Sequence, residues 1–330
     1  MFIRHLSTMA KRQQIEYLYG SNVVIPALTA GRRRIAKLLV KDDKRTEHIA
    51  RMFTEHRLDS HSNPVVPNSR NLNMLSDVEL AMQMASEREI KVEIVSKEQL
   101  DKLSSNRPHQ GLVLAAFPLK HTSINGLGEC IGIDDTDSVE YELVNGLMQT
   151  FHRKPRRKHP VWLALDQVVD PQNLGSIYRS AYYFGVDGIV ITDKESASFT
   201  PTASKASSGV MEAMPLYTTV NLAKFITNSS QNGWCIVGTD IKKDKALYLH
   251  EYTDESAIDV MPVAGQNVPA LIVLGNEGRG MRQQISKLCD VHLAIGSAMT
   301  DSHCRVDSLN VSAAASILLH DVLMNKLQGP

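Results

Sequence analysis

Five apolar runs in the carboxyl-terminal half constrain the fold more than any other feature. WLALD (162–166), GIVIT (188–192), WCIVGTD (234–240), ALIVLG (270–275) and VHLAI (291–295) have strand length, and each ends in or is followed by Asp, Gly or Thr. Helical segments lie between most of them. Strands this continuously apolar are buried on both faces, which calls for a mainly parallel sheet covered by helices. Ligands of such sheets bind beyond the carboxyl ends of the strands. One rim should therefore carry Asp166 to Asn173, Thr239, Gly275 to Gly280 and Ile295.

The amino-terminal part has a different rhythm. From Tyr17 to Phe117 a helical pattern (Leu18 to Leu28) ends by Gly31, and strand-like runs follow at Ile35 to Val40, Val92 to Val95 and Val113 to Phe117. Helices are expected at Thr46 to Leu58 and Val78 to Glu89, with Val65 and Val66 flanked by prolines. The alternation implies a small α/β sandwich, residues 16–118. Arg32, Arg33 and Arg34 occupy the turn after the first helix. Such a turn is usually solvated surface, but three arginines beside Gly31 can also grip phosphates.

Residues 119–160 read as a charged linker. GLGECIG (126–132) lacks the spacing of a nucleotide-binding loop and no strong strand precedes it. An acidic stretch runs from Asp134 to Glu142, and HRKPRRKH (152–159) holds five Lys or Arg in eight positions. The chain as a whole balances 36 basic against 36 acidic residues, so any nucleic-acid partner has to be met by local clusters such as this one. The four cysteines show neither CxxC pairing nor zinc spacing, so no metal is expected. No apolar run reaches the roughly 18 residues of a membrane span. Residues 1–15 carry Arg4, Lys11 and Arg12 with no acid, the composition of a mitochondrial targeting segment.

Three rim loops carry the chemistry. DQVVDPQNLGSIYRS places Asn173, Gly175 and Arg179 at the start of a helix that Asn173 can cap. LIVLGNEGRGM turns out of a strand through Gly275, Gly278 and Gly280, with Glu277 among backbone groups that suit a nucleoside-like ligand. DSLNVSAAASILL (307–319) joins a polar turn to an Ala-rich helix with Ser308 as the expected N-cap.

In this order, each after a strand of one domain, these loops resemble the SpoU family of RNA ribose 2′-O-methyltransferases, of the SPOUT class. The resemblance covers Val161 to Leu327. YLYGSNVVIPAL, the GRRR turn and HQGLVLAA resemble the ribosomal-protein-like α/β/α RNA-binding domain that many of these enzymes carry. The resemblance implies a trefoil-knotted methyltransferase domain at 161–328, S-adenosylmethionine as methyl donor, RNA as substrate and a homodimer whose active site draws on both subunits. Within the family it points to enzymes that modify a guanosine of mitochondrial large-subunit rRNA. By matching positions it implies Arg179, Glu277 and Asn310 as catalytic, Thr239, Gly275, Asn276, Ile295 and Leu309 as cofactor contacts, and Asn173 on the substrate side with Arg32, Arg33 and Arg34.

A guanidinium stays protonated, so Arg179 suits a phosphate clamp and a stabiliser of developing charge better than a base. Glu277 can orient Arg179 or its own loop. The stretch GSAMTDSHCRVD (296–307) departs from the family pattern, lacking the Pro-Met after Ile295. Its His303 and Cys304 read as bystanders. The alternatives are a tRNA substrate, or an inactive RNA-binding assembly factor that has kept the fold.

Overall fold

The computed structural model describes residues 15–49, 76–131, 138–152, 159–194, 196–239, 247–248, 268–297 and 308–324. The expected targeting segment up to residue 14, residues 50–58 of the expected second helix, Val65 and Val66, residues 153–158 of HRKPRRKH, and residues 298–307 with His303 and Cys304 lie outside them. In chain order the first part forms β1 (Glu16–Tyr19), α1 (Ser21–Ala30), β2 (Ile35–Lys41), α2 (Asp77–Glu87), β3 (Val92–Val95), α3 (Lys97–Leu103) and β4 (Leu112–Ala116). Then come β5 (Thr122–Ile131), β6 (Ser138–Leu143), β7 (Met148–His152), β8 (Val161–Leu165), α4 (Pro171–Tyr183) and β9 (Gly188–Thr192). The remainder is α5 (Pro201–Ala206), α6 (Val210–Ala213), β10 (Tyr217–Thr219), α7 (Leu222–Gln231), β11 (Cys235–Thr239) and β12 (Leu247–Tyr248). It ends in β13 (Ala270–Leu274), α8 (Gln283–Ser286), β14 (Val291–Ala294) and α9 (Val311–Leu323).

The chain divides into two units, residues 1–120 with 199–213, and residues 121–198 with 214–330. The first holds a four-stranded sheet in the order β1-β4-β2-β3, antiparallel except for the parallel β2–β3 pair. Its core packs Leu18, Val24, Leu28, Leu38, Val40, Ala81, Met82, Leu112 and Leu114. The helical pattern expected from Leu18 begins only at Ser21. Leu18 and Tyr19 belong to β1, and Gly20, at φ 84°, turns the chain into the helix. Gly31, at φ 64°, closes that helix in the left-handed conformation.

The arginine turn does not present three free cations. The Arg33 side chain is 0% exposed and its Nε and Nη2 donate to Glu212 at 2.7 and 3.0 Å. Its Nη1 donates to Glu16 at 2.6 Å and to the Phe117 carbonyl at 2.9 Å. Burial alone opposes the charge, but the two glutamates outweigh it and hold Arg33 above its usual range. Ser204 adds a further hydrogen bond to Glu212. Arg32 donates to the Met211 carbonyl at 3.3 Å, and the Arg34 guanidinium lies 3.5 Å over the Phe117 ring. For Arg33 the expected phosphate grip is therefore corrected: its side chain binds the turn to the segment 199–213 and to the end of β4. That segment was read as part of the second domain, because the run of rim motifs on either side of it masks its separate packing.

A buried charge that loses its partner is left uncompensated. Arg33→Ala should therefore destabilise the protein by about 3 to 5 kcal/mol, read as a lower urea midpoint. A loss under about 1 kcal/mol would mean the cluster behaves like an exposed pair.

The second unit holds a ten-stranded sheet, β12-β14-β11-β13-β8-β9-β10-β5-β6-β7. Every pair from β12 to β5 is parallel, and all five apolar runs lie within this stretch. Here the linker expectation for 119–160 is corrected, because β5, β6 and β7 extend the sheet as an antiparallel meander. The signal was hidden by Gly126 and Gly128, which interrupt the alternation of apolar residues. Both glycines are there for packing. A Cβ at Gly126 would stand 2.7 Å from Asn228 Cβ, and one at Gly128 would stand 2.8 Å from Glu140 Cβ. Two register shifts in β5 bend the meander. Tyr141 then meets Tyr217 edge to face at 5.3 Å, and Phe151 meets Trp162 likewise at 6.3 Å, between ring centroids.

Candidate active site

Strand order reverses between β8 and β13, which puts the loops after these two strands at the switch point of the sheet. The loop after β13 is a tight return. Asn276 and Gly280 exchange both backbone hydrogen bonds at 3.0 Å, and Gly280 takes φ 67°. A Cβ on Gly275 would collide with the Met281 amide, so only glycine lets the loop close on itself. The Asn276 side chain ties it to its neighbour: Oδ1 accepts from Gly278 and Arg279 N–H at 3.0 and 3.1 Å, while Nδ2 donates to the Gln167 carbonyl at 2.7 Å.

Glu277 is the acceptor on which the first rim loop hangs. Its carboxylate takes the N–H of Val169 and of Asp170 at 3.2 Å, and the Asn173 side-chain amide at 3.3 Å. Asn173 in turn accepts from Asn310 Nδ2 at 3.0 Å. Glu277, Asn173 and Asn310 thus form one chain of hydrogen bonds joining all three sequence motifs. Beneath it, buried Asp166 at the end of β8 accepts from the Arg282 backbone at 3.1 Å and pairs with its guanidinium at 2.6 Å.

Two caps differ from expectation. Asp170, and not Asn173, caps α4 by accepting from Gln172 N–H at 2.7 Å. Asn310, and not Ser308, caps α9, accepting from Ser312 N–H at 2.9 Å. In both cases the motif asparagine, or its neighbour in the cap, is held by the loop network, and the helix starts where that network allows.

Beside this chain lies an open cleft. Thr239, Gly275, Asn276, Ile295 and Leu309 all line it, together with Glu277, Gly280 and Ser308. Leu274, Leu293, Val311, Ala314 and Leu318 make it mostly apolar. Val311, Ala314 and Leu318 share one face of α9, so this helix forms a wall of the cleft. The sequence reading missed that Ala314 faces the cleft directly; the spacing of three and four residues from Val311 to Ala314 to Leu318 was the available signal. Thr239 spends its hydroxyl on the Val273 carbonyl at 3.1 Å, which leaves its methyl and backbone for a ligand.

Arg179 stands apart. It lies six residues after Asn173 on α4, about 120° around the helix. It is exposed, lines no part of the cleft, and among the described residues makes no hydrogen bond or ion pair. Its stripe continues in Tyr182 and Tyr183, which are 55% and 78% exposed. α4 packs on α9 through the Ser180–Ser316 hydroxyl bond at 2.8 Å and an edge contact of Phe184 with His320. Ile317 and Met324 of α9 are likewise exposed. Glu277 therefore orients its own loop and not Arg179.

A cleft of this shape, with an apolar floor, glycine-exposed backbone at one edge and no titratable cluster, fits a nucleoside-bearing cofactor. Among the described residues no group of His, Cys, Asp or Glu is arranged to hold a metal ion.

Comparison with known proteins agrees with the geometry. The profile described as the SpoU rRNA Methylase family matches residues 160–320, and one described as RNA 2′-O ribose methyltransferase substrate binding matches residues 67–122. A protein of Dictyostelium discoideum named rRNA methyltransferase 1, mitochondrial, is 34% identical over 71% of this chain and 42% of its own length. One of the same name from Schizosaccharomyces pombe is 32% identical over 71% of this chain and 75% of its own. The crystal structure of an AdoMet-bound rRNA methyltransferase from Sinorhizobium meliloti shares the fold with a TM-score of 0.60, at 17% identity, covering 100% of this chain and 92% of that one.

Proposed function

We propose that this chain, which belongs to the SpoU rRNA methylase family, transfers a methyl group from S-adenosylmethionine to a ribose 2′-hydroxyl of ribosomal RNA. The observation that carries this reading is the convergence of five separated residues, Thr239, Gly275, Asn276, Ile295 and Leu309, on one cleft whose lip is the Glu277–Asn173–Asn310 chain. When bound, the cofactor supplies an electrophilic methyl on a sulfonium. The chain's own residues hold the nucleoside and position the hydroxyl in line. Glu277 and Asn310 act here by fixing the loops, and Arg179 holds a phosphate next to the target ribose and stabilises developing charge.

The finer parts of the reading are a guanosine target in mitochondrial large-subunit rRNA, a mitochondrial location, a C-terminal trefoil knot and a homodimer. The composition of residues 1–15 and the names of the two relatives support the location. The apolar stripe of Tyr182, Tyr183, Ile317 and Met324 supports the dimer, since exposed large apolar side chains grouped on neighbouring helices are a mark of an interface. Arg179 lies in that stripe, which suits an arginine that serves the partner's cleft.

Incubation of the purified chain with labelled S-adenosylmethionine and mitochondrial large-subunit rRNA transcribed in vitro tests this. The expected product is a label in an alkali-resistant dinucleotide that begins with guanosine, because a 2′-O-methyl group blocks cleavage of the adjacent phosphodiester. Label on a base contradicts the reading, and RNA binding without cofactor binding favours the inactive assembly factor.

A further inference from the structure

In the first unit two cations lie against Tyr19, at the end of β1. Arg107 comes from the NRPHQG turn that precedes β4, and Lys205 from the last turn of α5 in the segment 199–213. Arg107 Nη1 donates to the Tyr19 hydroxyl at 2.9 Å and to Thr202 Oγ1 at 2.8 Å. Lys205 Nζ stands 5.7 Å from the Tyr19 ring centroid. It occupies the place that a Cβ on Gly20 would take, close to the Gln110 side chain and the Pro108 carbonyl.

Neither cation has a carboxylate partner among the described residues. The acids near the turn are already engaged: Asp101 with His109 Nε2 at 3.1 Å, and Asp43 with the Thr46 N–H at 2.9 Å. Glu16 and Glu212 are committed to Arg33. Partial burial lowers the Lys205 pKa, the result for an ammonium that gives up water without gaining an anion. The turn itself is fixed. Gly111 N–H donates to His109 Nδ1 at 3.1 Å, so Nε2 carries the proton toward Asp101, and Ser105, Asn106 and Gln110 all hold positive φ. Arg107 also lines a concavity that it shares with Lys41 and Lys97 and with Asp43 and Asp101. A turn that brings Arg107 and Lys205 to one tyrosine, neither with a carboxylate partner among the described residues, is arranged for a polyanion that arrives from outside.

We propose that Arg107 and Lys205 clasp a phosphate of the RNA backbone, so that the first unit holds the substrate through a contact separate from the methyl-transfer cleft. This rests on the RNA-methylating function proposed above and names the residues that would hold the RNA on this unit. Arg107 falls inside the stretch matched by the substrate-binding profile, and Lys205 lies outside it. The clasp therefore draws on a part of the chain that the profile does not cover.

The test is filter binding of the full chain to in vitro transcribed large-subunit rRNA across a salt series, with Arg107→Gln, Lys205→Gln and the double variant. Each substitution should weaken binding about tenfold and lower the slope of log affinity against log salt by about one. Arg107→Lys should keep the slope. The RNA KM should rise with kcat and the cofactor Kd unchanged, and the thermal midpoint should stay within about 2 °C. An unchanged slope in the double variant overturns the clasp, and so does an unchanged slope with a fallen midpoint, which would make Arg107 a support for Tyr19 alone. If the wild-type chain binds this RNA without methylating it, the function falls while the slope still decides the clasp. No RNA binding at all overturns both.

Discussion

Arg179→Ala is expected to lower kcat about 100- to 1000-fold, the loss typical of one pre-organised charge-stabilising donor. S-adenosylmethionine affinity should not change. The reason is geometric. The cleft is lined without Arg179, and Glu277, whose carboxylate might have oriented it, is committed to the backbone of residues 169 and 170. Arg179 is also exposed and makes no hydrogen bond to the network residues, so its removal should leave the fold intact. An equal loss of cofactor affinity would show that it acts on the cleft after all.

Ala314→Leu is expected to weaken S-adenosylmethionine binding about 10- to 100-fold, from roughly 1 to 3 kcal/mol of overpacking when three carbons enter a fitted site. The thermal midpoint should hardly move. Ala314 lies on the wall of the cleft, while the neighbouring Ala315 is fully buried and Ala313 is exposed. A leucine at 314 therefore fills the cofactor's space and spares the protein core. Calorimetry with the cofactor and a melting curve of the same sample decide this. Wild-type affinity with a lowered midpoint would move Ala314 from the cleft to the packing of α9.

The parallel sheet was legible because its strands are buried on both faces, and such strands read as unbroken apolar runs. The β5–β7 meander was not legible, since one face of it meets solvent and two of its packed positions are glycines. The residues of the cleft came from motif positions, and the physical pattern explains why they meet: each lies at or just after the carboxyl end of a parallel strand or opens α9. The arginine turn failed as a reading for a different reason. Sequence shows that Arg32, Arg33 and Arg34 are charged, but not that Glu212, 179 residues after Arg33, returns to neutralise one of them. The caps failed because Asn173 and Ser308 are good capping residues by type, yet Asp170 and Asn310 are the ones that start the helices.

The central claim is that the cleft of one subunit works with Arg179 of another. Mixing the Arg179→Ala and Ala314→Leu chains under conditions that let subunits exchange measures this directly. A mixed dimer has one site with an intact cleft and the partner's arginine, so an equal mixture should recover about one quarter of wild-type methyl transfer. Activity no greater than the sum of the two variants alone would contradict the account and return Arg179 to the cleft of its own chain.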